Sequence, residues 1–322
     1  MNEPTSATPK IGISSCLLGE QVRFDGGHKR DCFLTDIFGP FVAWVPVCPE
    51  LEVGMGVPRP SVRLAGDPAA PRMIQDKSGR DFTADMNAYA KRRVRELARL
   101  ELSGYILKKD SPSCGMERVR VYPEAKGKAP SREGRGLFAA QLLDALPLLP
   151  VEEEGRLCDL KLRANFIERV FAFRRWQDLL NARKSIGLLV AFHARHKFTL
   201  LAHSETHLRR LGKLVAAAKG RPTADVFAEY GQGFMEALKQ HASVKKNVNV
   251  LQHLMGFFSE RLDGGERREL EGLIRDYHHH VVPLIVPITL VRHYVRKFEV
   301  AYAADQIYLE PHPKELMLRN HV

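Results

Sequence analysis

Near residue 150 the hydrophobic pattern of this chain changes period, and that change demands two differently built cores. Before it, short apolar runs alternate with helical patterns, as in an α/β domain assembled from βα units. Residues 10–14 (KIGIS), 41–47 (FVAWVPV) and 104–108 (GYILK) read as strands. Residues 83–100 place Met86, Tyr89, Ala90, Val94 and Leu97 at three- and four-residue spacings, opposite Lys91, Arg92, Arg93 and Arg95, and predict an amphipathic helix. Asp76-Lys77-Ser78-Gly79 reads as a turn and residues 136–146 as a further short helix. Pro147, Pro150 and the run Glu152–Glu154 then predict a linker near 148–160. Beyond it every pattern is helical, with breaks at Gly220-Arg221-Pro222, Asp263-Gly264-Gly265, Pro283 and Pro287, and with N-caps expected at Thr223–Asp225, Ser243 and Asp263.

The fold expected is therefore a Rossmann-like α/β domain over 1–150, a linker and connecting helix over 151–187, and a separate all-α domain over 188–322. A hydrophobic content of 44% against 27% charged excludes a disordered chain, and no apolar run approaches the length of about 18 residues that a membrane span needs. The N-terminus MNEPTSATPK has neither a basic start nor an apolar stretch, so a soluble cytoplasmic protein is expected.

Five cysteines are too few and too odd in number for a secreted disulfide framework, and in a reducing compartment their surroundings decide their role. Cys16, Cys48 and Cys114 each follow a predicted strand by a few residues, beside glycine or proline. In an open α/β sheet the ligand crevice lies outside the carboxyl ends of the strands, so the three can converge although they are far apart in sequence. Three thiolates without a fourth suit a zinc ion with an open position or a [4Fe–4S] cluster with one free iron, and the residues alone do not choose. Cys32 and Cys158 lack that setting and read as structural.

Three segments carry a resemblance: residues 11–25 (IGISSCLLGEQVRFD, continuing into Gly26), 47–59 (VCPELEVGMGVPR) and 108–115 (KKDSPSCG). They resemble the signature segments of the thiouracil desulfidase family, whose members replace the sulfur of thiolated pyrimidines with oxygen. The resemblance implies an oxygen-sensitive [4Fe–4S] cluster on Cys16, Cys48 and Cys114. Glu50, two residues beyond Cys48, is the expected base for water; Ser111 and Ser113 are expected to position the water or relay a proton, and Asp25, beside Arg23, is a further catalytic candidate. From about residue 188 to 320 the chain resembles the YbgA-type helical domain that often accompanies this family, through residues 192–215, 247–258, 282–294 and 308–320.

Charge points the same way. Of the net +11, residues 1–160 carry 23 Lys+Arg against 22 Asp+Glu, and the rest of the chain 26 against 16. A basic module suits a polyanion, and RNA-binding candidates are Arg195, Lys197, Arg209, Arg210, Lys213, Lys245, Lys246, Arg292, Arg296 and Lys297. The expected substrate is a thiolated uridine, foremost 4-thiouridine in tRNA. A free thiopyrimidine such as 2-thiouracil is the alternative, and an iron–sulfur regulator that binds nucleic acid is the alternative of another class. Twelve of thirteen histidines follow residue 160, but none has the flanking Glu or Cys of a recognisable zinc site. Phe166, Phe171, Phe173 and Trp176 read as packing residues, and His278–His280 as the end of a helix.

Overall fold

The computed structural model describes residues 8–123 and 129–321, and the chain divides into two units at Asp159/Leu160. The first seven residues, which include most of the segment read for a leader, lie outside the described residues. In the first unit β1 (Lys10–Ser14), β2 (Ala43–Val47), α1 (Pro49–Glu52), β3 (Val62–Ala65), β4 (Arg72–Gln75), α2 (Thr83–Ala98), β5 (Gly104–Leu107), β6 (Val119–Tyr122), β7 (Ser131–Gly134), α3 (Leu137–Ala145) and β8 (Val151–Glu153) follow in that order. The main sheet is wholly parallel, in the order β2-β1-β5-β8, with Ile11 opposite Trp44 on one side and Gly104 on the other. Its central strands are buried, as a parallel sheet covered on both faces requires. Gly12 is obligatory here: a Cβ would lie 2.2 Å from the ring of buried Tyr105. α2 buries the five residues its periodicity marked, and Tyr89 and Tyr105 meet Phe138 of α3 at centroid distances of 6.2 and 6.0 Å.

A second sheet, β4-β3-β6-β7, was not anticipated. Its strands are four residues long: β3, β4 and β6 bury Leu64, Met73, Val119 and Val121, while Arg72 and Arg120 are exposed and β7 (SREG) has no apolar side chain. Runs this short give little periodicity to read.

The linker expected over 148–160 is corrected. Residues 151–153 are the edge strand β8, paired to Tyr105–Leu107. The three consecutive glutamates read as part of that linker are each buried against a partner. Glu152 takes Arg156, Glu153 takes the Met116 amide, and Glu154 takes Lys108 and the Lys109 amide.

The second unit consists, among the described residues, of α4 (Leu160–Asn181), α5 (Ile186–Arg195), α6 (Lys197–His203), α7 (Glu205–Ala216), α8 (Thr223–Lys239), α9 (Val244–Gly256), α10 (Gly264–His278), α11 (Ile285–Lys297) and α12 (Ala301–Ala304). Ser243 caps α9 and Asp263 forms a capping box with Glu266, as expected, whereas α8 begins at Thr223 after Pro222 without a side-chain cap. Trp176 packs on Phe192, Phe227 and Tyr230, and Gly231 admits it, since a Cβ there would stand 2.7 Å from the indole. Phe166 is equally buried, while Phe171 and Phe173 are half-buried. A second core joins α6, α9, α10 and α11 around Leu254, Phe258 and Ile288, and buried Asn247 bridges the hydroxyls of Tyr277 and Tyr308. No described helix is long and apolar enough to cross a membrane.

Candidate active site

The carboxyl ends of three adjacent parallel strands each deliver one cysteine to a single pocket of about 380 Å³. Cys16 follows β1 in a 3₁₀ turn (Ser15–Leu18) that closes on Gly19 at φ +99°, a left-handed conformation glycine adopts without strain. The Cys16 carbonyl is fixed by the Lys29 amide at 2.8 Å. Cys48 follows β2 at the N-cap of α1, where its amide donates to Glu52 Oε1 at 3.1 Å; the Tyr89 hydroxyl holds Glu52 Oε2 at 2.7 Å.

Cys114 follows β5 in the Ser111–Gly115 loop. Ser111 Oγ accepts the Ser113 and Cys114 amides, and the first amides of α3 donate to the Pro112 and Ser113 carbonyls, so a helix terminus is satisfied by the loop it supports. The approach is so close that a Cβ at Gly136 would lie 2.5 Å from the Ser113 carbonyl.

Burial pushes all three thiols up. Cys16 rises to about 11 although Lys108 opposes the shift, and Cys48 and Cys114 are raised for the same reason. Left to themselves these groups are neutral thiols, and they would become thiolates by exchanging a proton for a cation. Among the described residues no three His, Cys, Asp or Glu side chains stand close enough together to enclose one metal ion.

Beside the thiols lies a polar chain. Ser111 and Ser113 hydroxyls are 3.0 Å apart, and Ser113 donates to Glu50 Oε1 at 2.8 Å. Arg59 donates through Nε and Nη2 to Glu50 Oε2 at 3.1 and 2.6 Å, and through Nη1 to the Val22 and Gly56 carbonyls, both at 2.9 Å. Its side chain is only 3% exposed. The guanidinium therefore fixes one carboxylate oxygen and leaves the other to Ser113 and the pocket. The sequence had placed Arg59 only at the end of a motif, without a role. Lys108, fixed by Glu154, and Ser14, whose hydroxyl accepts the Lys108 amide at 3.0 Å, line the same pocket and were also missed.

Asp25 is corrected. It is not among the lining residues; its half-exposed carboxylate accepts the Gly27 amide at 3.1 Å and pairs with Arg23, and that amide holds its pKa below the usual carboxylate range. It is a turn residue. Cys32 and Cys158 are exposed and also stand outside the lining.

In the second unit the basic candidates fall on several helices, and many have acidic partners. Arg209 pairs with Glu205, Arg210 with Glu236, Arg292 with Glu310 and Lys297 with Glu266, while the Lys246 ammonium donates to the His203 carbonyl at 2.6 Å. Lys197, Lys213 and Arg296 are exposed and have no ion-pair partner among the described residues; Arg195, half-buried, ends α5, and Lys245 lies in the first turn of α9.

Comparison with known proteins agrees with this division. Residues 11–154 match the model of the family described as 2-thiouracil desulfurase, and residues 197–313 match a protein family of unknown function, DUF1722. An uncharacterized protein of Escherichia coli (strain K12), YbgA, is 31% identical over 153 residues, which are 47% of this chain and 90% of that protein. Another, YbbK of Bacillus subtilis (strain 168), is 31% identical over 110 residues, 33% of this chain and 72% of that protein. A solved [4Fe-4S]-dependent thiouracil desulfidase, TudS, is 29% identical, with a TM-score of 0.38, covering 48% of this chain and 97% of that one. The chain belongs to the 2-thiouracil desulfurase family, in a form whose second unit is a DUF1722 region.

Proposed function

We propose that the protein is a [4Fe–4S]-dependent desulfidase that converts 4-thiouridine in tRNA to uridine and releases sulfide. The observation that carries the reading is the convergence of Cys16, Cys48 and Cys114 with Glu50 and Ser113 in one pocket at the strand ends. Membership of the 2-thiouracil desulfurase family supports a thiopyrimidine as the group acted on.

The donor set fits the cluster: three thiols line the pocket, no fourth cysteine or histidine is among the described lining residues, and Arg23 and Lys108 stand by to offset thiolate charge. When bound, the cluster supplies a soft, Lewis-acidic iron for the substrate's sulfur. Everything else falls to the chain. Glu50, held through one oxygen by Arg59, takes a proton from water by way of Ser113, and the hydroxide so formed attacks the C–S carbon. The carbon–sulfur bond breaks, a carbonyl forms, and both protons of the water end on the departing sulfide. No electron is gained or lost. A base inside a duplex cannot reach this pocket, so the thiolated nucleotide must first be unstacked.

The test is anaerobic. Reconstituted protein is incubated with tRNA containing 4-thiouridine, and loss of the thiouridine absorbance is followed together with sulfide release, beside Cys114→Ala. Turnover by wild type alone supports the reading. Turnover on free thiouracil but not on tRNA moves the substrate to the free base, and binding of nucleic acid without turnover on either makes the protein a regulator.

A further inference from the structure

The smaller sheet of the first unit carries a second pocket, of about 510 Å³, beside the three-cysteine site. Val62, Asp110 and Pro112 line both spaces, so a ligand seated in the first can run on into the second. β3 and β6 meet there in parallel register, Leu64 opposite Val121 and Ala65 opposite Tyr122. Val62, Leu64 and Val119 give the pocket an apolar side, and Arg63, Arg120 and Tyr122 a cationic and aromatic one. The proposed chemistry makes no use of it.

Its side chains are partly pre-arranged. Arg63 donates from Nη1 to Asp76 Oδ1 at 2.8 Å, and its guanidinium lies 5.6 Å from the centroid of the Tyr122 ring, so an ion pair holds a flat cation against an aromatic face. The other oxygen of Asp76 accepts the Ser61 hydroxyl at 2.7 Å. Arg120 stands two residues before Tyr122 on β6, hence on the same side of the strand; it is exposed and has no ion-pair partner among the described residues. Lys29 and Lys109, which line the first pocket, have none either. Against these three cations the described lining of the two pockets sets one carboxylate without a charged partner, Asp110, since Glu50 is held by Arg59 and Asp76 by Arg63. Asp110 sits at φ +58°, in the left-handed region that aspartate enters more readily than most residues, where β5 has ended and the Cys114 loop begins.

A guanidinium stacked on a ring, an unpaired arginine, a surplus of positive charge and one acceptor for a hydroxyl suit a single-stranded polynucleotide, which is held by stacking its bases and neutralising its phosphates. We propose that the second pocket seats the nucleotide next to the thiolated one in the same RNA strand. Its base lies on the Arg63–Tyr122 pair, a phosphate meets Arg120, and a ribose hydroxyl donates to Asp110. The proposal rests on the reading that the three-cysteine pocket takes a thiolated pyrimidine, and it places part of the RNA recognition in the first unit, outside the basic helices. A free base or a mononucleotide leaves this pocket unfilled.

Reconstituted full-length protein is assayed anaerobically for sulfide release from 4-thiouridine 5′-monophosphate and from a single-stranded trinucleotide with 4-thiouridine at its centre. Arg120→Glu, Tyr122→Ala and Tyr122→Phe are run beside it, with circular dichroism to verify folding. Wild type should turn over the trinucleotide with kcat/KM at least about tenfold above that of the monophosphate. Arg120→Glu and Tyr122→Ala should erase that advantage, chiefly through KM, and leave the monophosphate rate unchanged, whereas Tyr122→Phe, which keeps the ring, should retain it. Should Tyr122→Ala not fold, the exposed Arg120→Glu carries the test. Equal kcat/KM on the two substrates by wild type, an advantage that survives in Arg120→Glu, or an equal loss on both substrates overturns the proposal. Turnover of neither substrate defeats the desulfidase reading by itself, and binding of a fluorescently labelled trinucleotide then decides: binding about tenfold weaker in Arg120→Glu sustains the pocket, and unchanged or absent binding overturns it.

Discussion

Replacing Glu50 by glutamine separates the proposed base from the scaffold around it. The side chain keeps its size, and its carbonyl oxygen can still accept the Arg59 donors that now meet Oε2 at 3.1 and 2.6 Å. The amide nitrogen must then face Ser113, which reverses the bond in which Ser113 donates to Oε1 at 2.8 Å. Ser113 becomes an acceptor there, and its proton turns toward Ser111 or the Cys114 sulfur, which lie 3.0 and 3.6 Å away. Water therefore loses its path to a base. Loss of one general base costs about a hundred- to ten-thousand-fold in kcat, equivalent to about 3–5 kcal/mol of transition-state stabilisation. The three thiols are untouched. Anaerobic turnover of a thiopyrimidine should fall by that factor, while the visible absorbance of the reconstituted protein and KM stay near wild type. A variant that keeps its absorbance and turns over within about threefold of wild type refutes the assignment of Glu50.

Three further outcomes follow from the geometry. Arg59→Met strips the partner from a largely buried carboxylate and orphans the Val22 and Gly56 carbonyls, so denaturant unfolding of the first unit should show a loss of about 3–5 kcal/mol, most of it recovered when Glu50→Gln is added. Acid should destabilise the second unit well before its carboxylates titrate. Burial holds His196 near about 3 and His312 near about 4, so between pH 6.5 and about 4 the unfolded chain takes up protons that the folded unit refuses. Stability is full above pH 6.5 and falls by up to about 1.4 kcal/mol per pH unit for each histidine. A pH series of melts reads this slope, and His196→Phe should flatten it. Finally, Lys213→Glu with Arg296→Glu should weaken tRNA binding and lower its salt slope by about 1 for each phosphate no longer neutralised, whereas Arg209→Glu, already paired with Glu205, should do less; equal effects at all three positions would refute the distinction.

The sequence carried the architecture wherever one side-chain pattern had one structural meaning. β1 runs over the residues its apolar run marked, β5 stops one residue short of its run, and α2 buries the five residues spaced for one face. The three cysteines were legible because thiols at strand ends form a distinctive residue type in a distinctive place. The failures share a cause. Glu152–Glu154 read as part of a linker, and Asp25 as a catalytic candidate, because a carboxylate in a sequence does not disclose its partner. The four-residue strands of the second sheet were too short to show a period.

Arg59 shows how far the same limit reaches into the site itself. At the end of a loop containing Gly54, Gly56 and Pro58 it has the signature of a surface arginine, and nothing local distinguishes it from Arg63 or Arg72, which are half-exposed. What buries it is the folding of its own segment, at Glu50 and Gly56, against a remote one, at Val22. The Val22 carbonyl, the Glu50 carboxylate and the Gly56 carbonyl together satisfy four donor bonds and leave 3% of the side chain exposed. An arginine so placed cannot be replaced by lysine, whose single ammonium cannot span a carboxylate and two carbonyls in one plane. The site is thus specified twice, by reactive residue types that the sequence displays and by a buried cation that only the fold assigns. If the second specification matters to the chemistry, Arg59→Lys should retain the visible absorbance of the reconstituted protein yet lose turnover, with Glu50 no longer held through a single oxygen. Turnover equal to wild type would reduce Arg59 to a structural tie.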